Sequence, residues 1–186
     1  LERFVDVPVL AVNYGTVGFL TQCEREELEP TLQRVLTGDF LIEERLTLSV
    51  IADDWTERAV NEVVIKGERH MIEVAVAVNG RPMSRPRGDG IIVGTPTGST
   101  AYLMSTGAPI VVPEVDCMII NPLNEYNFSS RPVILPGSAE VTLDIHIGRE
   151  TDVTVCVDGR APRTLSPPMR VQIKRAPRPA RLVTFN

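Results

Sequence analysis

The sequence predicts a mainly β fold with two packed sheets, preceded by the tail end of an α/β lobe. After residue 41, most of the chain consists of short apolar or alternating runs separated by Gly, Pro, Asn or Asp, which is typical of a two-sheet β domain. Before residue 40 a strand, a glycine-containing turn and a helix follow one another, which is the pattern of an α/β unit. We therefore expect two domains, an α/β tail at 1–40 and a β-rich domain at 41–186.

The N-terminal elements are predicted from an apolar run and a capping pattern. Residues 7–12 form a continuous apolar run and predict a short buried strand, followed by a turn at 13–18 that holds two glycines. A helix is expected over 21–36, with the Thr21 hydroxyl as its N-cap and Gly38 as its stop. This order favours the end of an α/β unit.

The strands of the β-rich domain are predicted from alternation and turn residues. Residues 71–78 alternate, with Ile72, Val74, Val76 and Val78 on one face, and Asn79-Gly80 is a strong signal for a two-residue hairpin. Further strands are expected at 45–51, 59–65, 91–93, 117–120, 133–135, 141–147, 153–157, 169–173 and 181–185.

Composition and charge narrow the classes of function. A net charge of −5 over 186 residues lacks the basic footprint of a nucleic-acid surface. No run approaches the roughly 20 apolar residues that a membrane span requires, and no secretion signal is evident. Cysteines at 23, 117 and 156 follow no metal or disulfide spacing, and His70 and His146 stand alone. We therefore expect no metal ligands in this chain, no nucleic-acid or membrane partner, and a cytoplasmic location.

Residues 88–107 contain the residue types from which a ligand site is built. Gly88-Asp89-Gly90 places a carboxylate in a turn, and after a buried strand the loop Thr95-Pro-Thr-Gly-Ser-Thr100 is dense in hydroxyls before a helix that ends at Gly107. A helix entered from such a loop presents N–H groups and hydroxyls that suit a ribose, an adenine edge or a phosphate. The alternative is a capped helix whose hydroxyls satisfy only their own backbone. The segment fits neither the Walker loop nor the Gly-x-Gly-x-x-Gly fingerprint.

Asn61-Glu62 interrupts an apolar strand and is a second candidate. Adjacent strand residues point to opposite faces, so both side chains can reach one ligand only at a strand end or a bulge. The alternative is a solvated turn.

Several motifs in one order resemble those of NAD kinases. The segment Gly88-Asp-Gly-Ile-Ile-Val-Gly-Thr-Pro-Thr-Gly-Ser-Thr-Ala-Tyr102 resembles the signature of that family, in which Gly94 is more usually Ser. Further segments with this resemblance lie at 9–21, 61–65, 105–111, 129–136 and 155–159. The resemblance implies the two-sheet C-terminal domain of NAD kinases, following a Rossmann-like α/β lobe.

The resemblance also implies roles for individual residues in binding NAD. Asn61 and Glu62 would hold the ribose of the NAD adenosine, and Asp89 and Asp158 would lie towards the nicotinamide half. The adenine pocket would be lined by Thr100, Ala101, Tyr102 and Ser105, with Phe19 packing against it.

The activity that the resemblance implies is phosphorylation of the 2′-hydroxyl of the NAD adenosine ribose, which gives NADP. ATP or polyphosphate would be the phosphoryl donor, with Mg²⁺ or another divalent cation, and the protein would be a homodimer or homotetramer. The catalytic residue is unknown within this chain, because the family's Gly-Gly-Asp-Gly loop is expected upstream of Leu1. The chain alone is therefore expected to be inactive.

Two features keep alternatives open. The first is a departure from the family pattern, because the chain has Asn121-Pro-Leu-Asn-Glu-Tyr126 where the family commonly has Thr-Pro-x-x-Pro-His. The second is that the chain has only two lysines and no glycine-rich phosphate loop. A non-catalytic NAD(P)-binding module is therefore the alternative to a kinase. A lipid kinase of the diacylglycerol or sphingosine type is a weaker option, since the chain has no evident lipid-sized apolar motif.

Overall fold

The computed structural model describes residues 7–14, 21, 23–53, 55–127, 131–146 and 152–185. Within them the fold is mainly β, as predicted. The strands are β1 Val12–Asn13, β2 Cys23–Glu24, β3 Leu41–Arg45, β4 Leu48–Ala52, β5 Trp55–Ala59, β6 Glu62–Gly67, β7 Ile72–Val78, β8 Arg81–Ser84, β9 Arg87–Gly88, β10 Gly90–Gly94, β11 Cys117–Leu123, β12 Val133–Pro136, β13 Val141–His146, β14 Val153–Val157, β15 Arg163–Leu165, β16 Met169–Arg175 and β17 Ala180–Thr184. The helices are α1 Leu28–Leu36 and α2 Tyr102–Ser105, with 3₁₀ turns at Arg25–Glu27 and Thr97–Thr100.

The chain divides into two compact units, Leu1–Arg45 with Arg178–Asn186, and Leu46–Pro177. In the first unit β1 pairs with β2 in parallel and β3 pairs with β17 in antiparallel fashion. The division expected from the sequence, 1–40 and 41–186, rests on element type and stays a prediction.

The helix of the first unit begins later than predicted. Residues 23–24 pair with β1, so the helical turns start only at Arg25, and Thr21 is not the N-cap. Glu24 takes that place in an extended conformation, and its backbone N–H bonds the Glu27 side chain in a capping box. The end is as predicted, because α1 stops at Leu36 and Gly38 follows with φ of +78°.

The second unit consists of two large antiparallel sheets. One has the strand order β12-β11-β10-β6-β14-β15. The other has the order β5-β4-β16-β13-β7-β8, with β9 also paired to β7. Alternate residues of both sheets form one apolar cluster, including Val63 and Ile65 of β6 and Leu143 of β13. The core of this unit therefore lies between the two sheets.

The outer face of the six-stranded sheet carries a second apolar cluster. Val64 of β6, Ile92 of β10 and Ile119 of β11 are buried there together with Leu103 of α2. Strands β6 and β10 are thus buried on both faces, which is why their sequences are almost continuously apolar. This second face is the one on which the candidate site lies.

Turns and edge strands account for most of the remaining differences from the prediction. The Asn79-Gly80 hairpin is confirmed, with φ of +49° and +74° joining β7 to β8. The prediction missed β2, β3, β5, β8, β9 and β15, each of two to five residues. Among the described residues, no helix is long and apolar enough to cross a membrane.

Candidate functional site

The candidate site starts from strand β6, whose Glu62, Val64 and Lys66 share one face because side chains alternate along a strand. Val64 lies opposite Ile92 of β10 and Cys156 of β14. Helix α2 covers this face through Leu103, which packs in the same cluster as Val64. Glu62 and Lys66 therefore flank an apolar patch over which the hydroxyl-rich segment is folded.

The loop before α2 is anchored to the turn between β5 and β6. Thr95 is fully buried, and its hydroxyl donates to the Val60 carbonyl at 2.6 Å. The same hydroxyl oxygen accepts a hydrogen bond from the Gly98 N–H at 3.1 Å. A Cβ at Gly98 would lie 2.2 Å from the Asn61 carbonyl oxygen, so only glycine allows this approach. The loop and the Asn61-Glu62 turn consequently form one packed structure.

Most hydroxyls of this segment bond the backbone. Ser99 donates to the Pro96 carbonyl at 2.6 Å, Thr100 to the Thr97 carbonyl at 3.2 Å and Ser105 to the Tyr102 carbonyl at 2.8 Å. These contacts match the alternative in which the hydroxyls satisfy their own backbone. The oxygens of Thr100 and Ser105 retain acceptor capacity, but their donor protons are engaged.

Glu62 is the most unusual polar group of this face. The residue is only 6% exposed, and one carboxyl oxygen, Oε2, is buried without a hydrogen-bond partner among the residues that the structure describes. The Tyr102 backbone N–H lies near the carboxyl group and favours its ionised form. Burial, with a further contribution from the negative charge of Asp158, raises the pKa of Glu62 to about 7. A buried carboxyl oxygen without a partner is costly to the fold, so its position is explained better by a ligand than by stability.

Asp158 lies directly beside this carboxyl group. With Gly159 it forms the turn after β14, both at positive φ, and its backbone N–H donates to the Glu62 carbonyl at 3.0 Å. Its side chain accepts hydrogen bonds from the backbone N–H groups of Val60, Asn61 and Glu62 at 2.8, 2.8 and 3.1 Å. The carboxylate therefore holds the Asn61-Glu62 turn.

A cavity of about 220 Å³ opens at the other end of this face. Its lining consists of Lys66, Asp89, Tyr102, Ser105, Thr106, Pro122, Leu123 and Asn124. The Asn124 side-chain amide donates to the Asp89 carboxylate at 2.8 Å. The volume is below the range typical of drug-sized ligands, so it suits one part of a dinucleotide.

The predicted site residues fall into two groups that meet at Tyr102. Asp89, Tyr102 and Ser105 line the cavity, whereas Asn61, Glu62 and Asp158 form the cluster at the N-terminal end of β6. Tyr102 belongs to both, because its backbone N–H lies near the Glu62 carboxyl group and the residue lines the cavity.

Thr100 and Ala101 lead into α2 and do not line this cavity, and Phe19 lies outside the described residues. Their predicted roles stay predictions.

The sequence did not assign Lys66 to the site, and it marked residues 121–126, at the end of β11 and after it, only as a departure from the family pattern. Lys66 ends the outer face of an otherwise apolar strand, and that interruption was the available signal. Pro122, Leu123 and Asn124 belong to the segment that departs from the family pattern, which therefore forms one wall of the cavity. Within the described part of the chain, no group of three or more His, Cys, Asp or Glu side chains could hold a metal ion.

Two solved proteins with this architecture are kinases of NAD or NADH. Yeast NADH kinase, solved in complex with NADH, matches 96% of this chain and 55% of its own with a TM-score of 0.88 and 27% identity. An NAD kinase from Archaeoglobus fulgidus, solved in complex with ATP, matches 96% of this chain and 68% of its own with a TM-score of 0.82 and 27% identity. The fold thus defines a class of phosphotransferases.

Sequence comparison identifies the family within that class. Residues 60–185 match the family model of the ATP-NAD kinase C-terminal domain. The chain is 36% identical to NAD kinase of Gemmatimonas aurantiaca over 95% of its length, and 37% identical to NAD kinase of Thermococcus gammatolerans over 97%. It spans 64% and 66% of those two relatives. The chain therefore belongs to the NAD kinase family, and it covers less than two thirds of the length of these relatives.

Proposed function

We propose that this chain forms the acceptor-binding part of an enzyme that phosphorylates the 2′-hydroxyl of the NAD adenosine ribose to give NADP. The observation that carries the proposal is the buried Glu62 Oε2, which has no hydrogen-bond partner in the described part of the chain. A carboxyl oxygen in that state is a strong acceptor for a hydroxyl group. A ribose supplies such hydroxyls, and family membership makes NAD the natural source of the ribose.

The rest of the ligand is assigned along the outer face of β6. Asn61 and Glu62 hold the adenosine ribose, and the cavity beside Tyr102 and Ser105 takes a planar or phosphorylated part of the dinucleotide. Asp89, held by Asn124 at 2.8 Å, presents its carboxylate to the same cavity. Among the described residues that line the cavity, Lys66 is the one cationic side chain, and it suits the pyrophosphate.

Phosphoryl transfer requires a nucleophile, a donor and charge neutralisation. The ribose 2′-oxygen forms the new bond to the terminal phosphorus of ATP or polyphosphate, the bond to the leaving phosphate breaks, and the hydroxyl proton passes to a carboxylate. We assign that carboxylate to the Gly-Gly-Asp-Gly loop expected upstream of Leu1. Mg²⁺ or another divalent cation would accompany the donor, and a homodimer or homotetramer in the cytoplasm is the expected form.

The direct test uses the protein expressed from the whole of its gene. NADP should form from NAD with ATP or with polyphosphate, and absence of NADP with both donors would exclude the kinase. The alternative, a non-catalytic NAD(P)-binding module, is favoured by the scarcity of lysines, since the chain has two, Lys66 and Lys174. Binding of NAD by calorimetry without turnover would support that alternative.

The assignment of the pocket has its own test. Asp89→Asn and Tyr102→Ala should each weaken NAD binding about tenfold, because each loses a charge-assisted hydrogen bond or an aromatic contact. The circular dichroism spectrum should stay that of the parent protein. Unchanged affinity in both variants would reject the pocket.

A further inference from the structure

We propose that Asp158 is a positioning residue, whose carboxylate holds the Asn61-Glu62 turn and places a negative charge beside the Glu62 carboxyl group. The ligand side of this inference rests on the proposed function. The role of Asp158 itself rests on the geometry of the turn and can be tested without any ligand.

The geometry leaves Asp158 little capacity to contact a ligand directly. Both of its carboxylate oxygens accept backbone N–H groups, Oδ2 from Val60 at 2.8 Å and Oδ1 from Asn61 and Glu62 at 2.8 and 3.1 Å. Its own N–H is bonded to the Glu62 carbonyl at 3.0 Å. This differs from the role nearer the nicotinamide that the family resemblance implies. The same contacts fix the backbone from which the Asn61 and Glu62 side chains project.

The second consequence is electrostatic. Asp158 places a negative charge beside a carboxyl group that is already buried, and both effects favour the neutral form of Glu62. The opposing contact is the Tyr102 backbone N–H, which favours the ionised form. Glu62 therefore changes its charge near neutral pH, where an exposed glutamate is fully ionised.

The other groups around Glu62 do not replace Asp158 in this role. On β14 the Cys156 thiol has a pKa that is raised by burial, and its Sγ donates to the Arg160 carbonyl at 3.1 Å. The charge of Glu57 on β5, which also acts on Cys156, is paired with Arg160 at 2.8 Å. On β10 the residue paired with Glu62 is Gly94, which carries no charge. Lys66 lies on the same face of β6, four residues further along and exposed.

The experiment follows the carboxyl carbon of Glu62 by ¹³C NMR in the protein expressed from the whole of its gene, with Glu62→Gln used to assign the resonance. In the parent protein Glu62 should titrate near pH 7, the raised value given by its surroundings. In Asp158→Asn the midpoint should fall by about one unit or more, because the neighbouring charge is removed. A parent midpoint at the ordinary glutamate value overturns the proposal without any variant. An equal midpoint in the parent and in Asp158→Asn overturns it as well.

Calorimetry of NAD binding between pH 5 and pH 9 supplies the second readout. The affinity of the parent should fall about tenfold one pH unit below the Glu62 midpoint, because only about a tenth of the carboxyl groups are then ionised. Asp158→Asn should move this bend to lower pH, and Glu62→Gln should remove it. If the NMR midpoints shift as expected but NAD does not bind the parent at any pH, the proposed function fails and the role of Asp158 stands. If Asp158→Asn weakens binding by the same factor at every pH, the proton-dependent role is overturned.

Discussion

Replacing Glu62 with glutamine should stabilise the second unit at pH 8 far more than at pH 5. The pKa of this carboxyl group is raised from 4.5 to about 7 in the folded chain. At about 1.4 kcal/mol per pKa unit, the full cost of the raised pKa is about 3 kcal/mol, present above pH 7. Below pH 4.5 both the folded and the unfolded chain hold the proton, and this cost is absent.

Between these limits only the unfolded chain loses the proton, so the free energy of unfolding falls as the pH rises. The cost is about 1 kcal/mol at pH 5 and about 3 kcal/mol at pH 8. A glutamine side chain has almost the same shape as a glutamate side chain and cannot ionise. Any free energy that burying its amide costs is therefore the same at every pH. The stability of Glu62→Gln relative to the parent should therefore rise by about 2 kcal/mol from pH 5 to pH 8.

Urea unfolding followed by fluorescence measures this difference directly. The chain has one tryptophan, Trp55, which is 8% exposed and lies in strand β5 of the second unit. Glu114→Gln, at an exposed position in the same unit, controls for removing one negative charge. A stability difference between Glu62→Gln and the parent that stays constant from pH 5 to pH 8 would refute the reasoning.

Three further predictions concern packing, charge and a turn. Gly98→Ala places a Cβ 2.2 Å from the Asn61 carbonyl oxygen, and this overlap is with backbone. The variant should lose about 1–3 kcal/mol of unfolding free energy in the same fluorescence assay. A stability equal to that of the parent would contradict the close approach. Lys66→Met should weaken NAD binding about tenfold and make the binding less dependent on salt concentration. Lys174→Met, the matched control outside the cavity, should have neither effect. Equal effects of both variants would show that Lys66 is not part of the site. Asn79→Ala should lower the free energy of unfolding by about 2 kcal/mol. Asn79 has φ of +49°, and its side chain accepts a backbone N–H at 2.9 Å. A loss below the error of the urea titration would contradict this prediction.

The parts of the fold that the sequence predicted are those where burial and turn chemistry act locally. Strand β7 alternates because one of its faces is in the core, and its Asn79-Gly80 turn needs positive φ at both residues. The missed strand β8 is exposed throughout and contains Pro82, so its sequence carries no burial pattern. Its strand conformation comes from pairing with β7, which a single stretch of sequence does not reveal.

In the candidate site too, the sequence predicted the local features and did not predict the contacts between distant parts of the chain. Asn61 and Glu62 lie at a strand end, the place from which the sequence led us to expect both to reach one ligand, because Glu62 is the first residue of β6 and Asn61 lies in the preceding turn. The three N–H groups bonded by Asp158 come from residues almost a hundred positions away in the chain, and no local pattern encodes such a contact. The inclusion of Lys66 in the cavity likewise depends on how β6, β10 and α2 are brought together.

Because β6 is buried on both faces, the wall of the site that β6 forms opens less readily than the wall that helix α2 forms. Strand β6 is hydrogen-bonded to β10 on one side and to β14 on the other. Its amide protons therefore exchange with solvent only when strands of the six-stranded sheet separate. Helix α2 is a single turn of four residues, and its amides can exchange through a local opening. We expect a bound dinucleotide to slow exchange in α2 and to leave β6 almost unchanged. Adaptation to different ligands would therefore occur on the helix side of the cavity, against a strand that does not move.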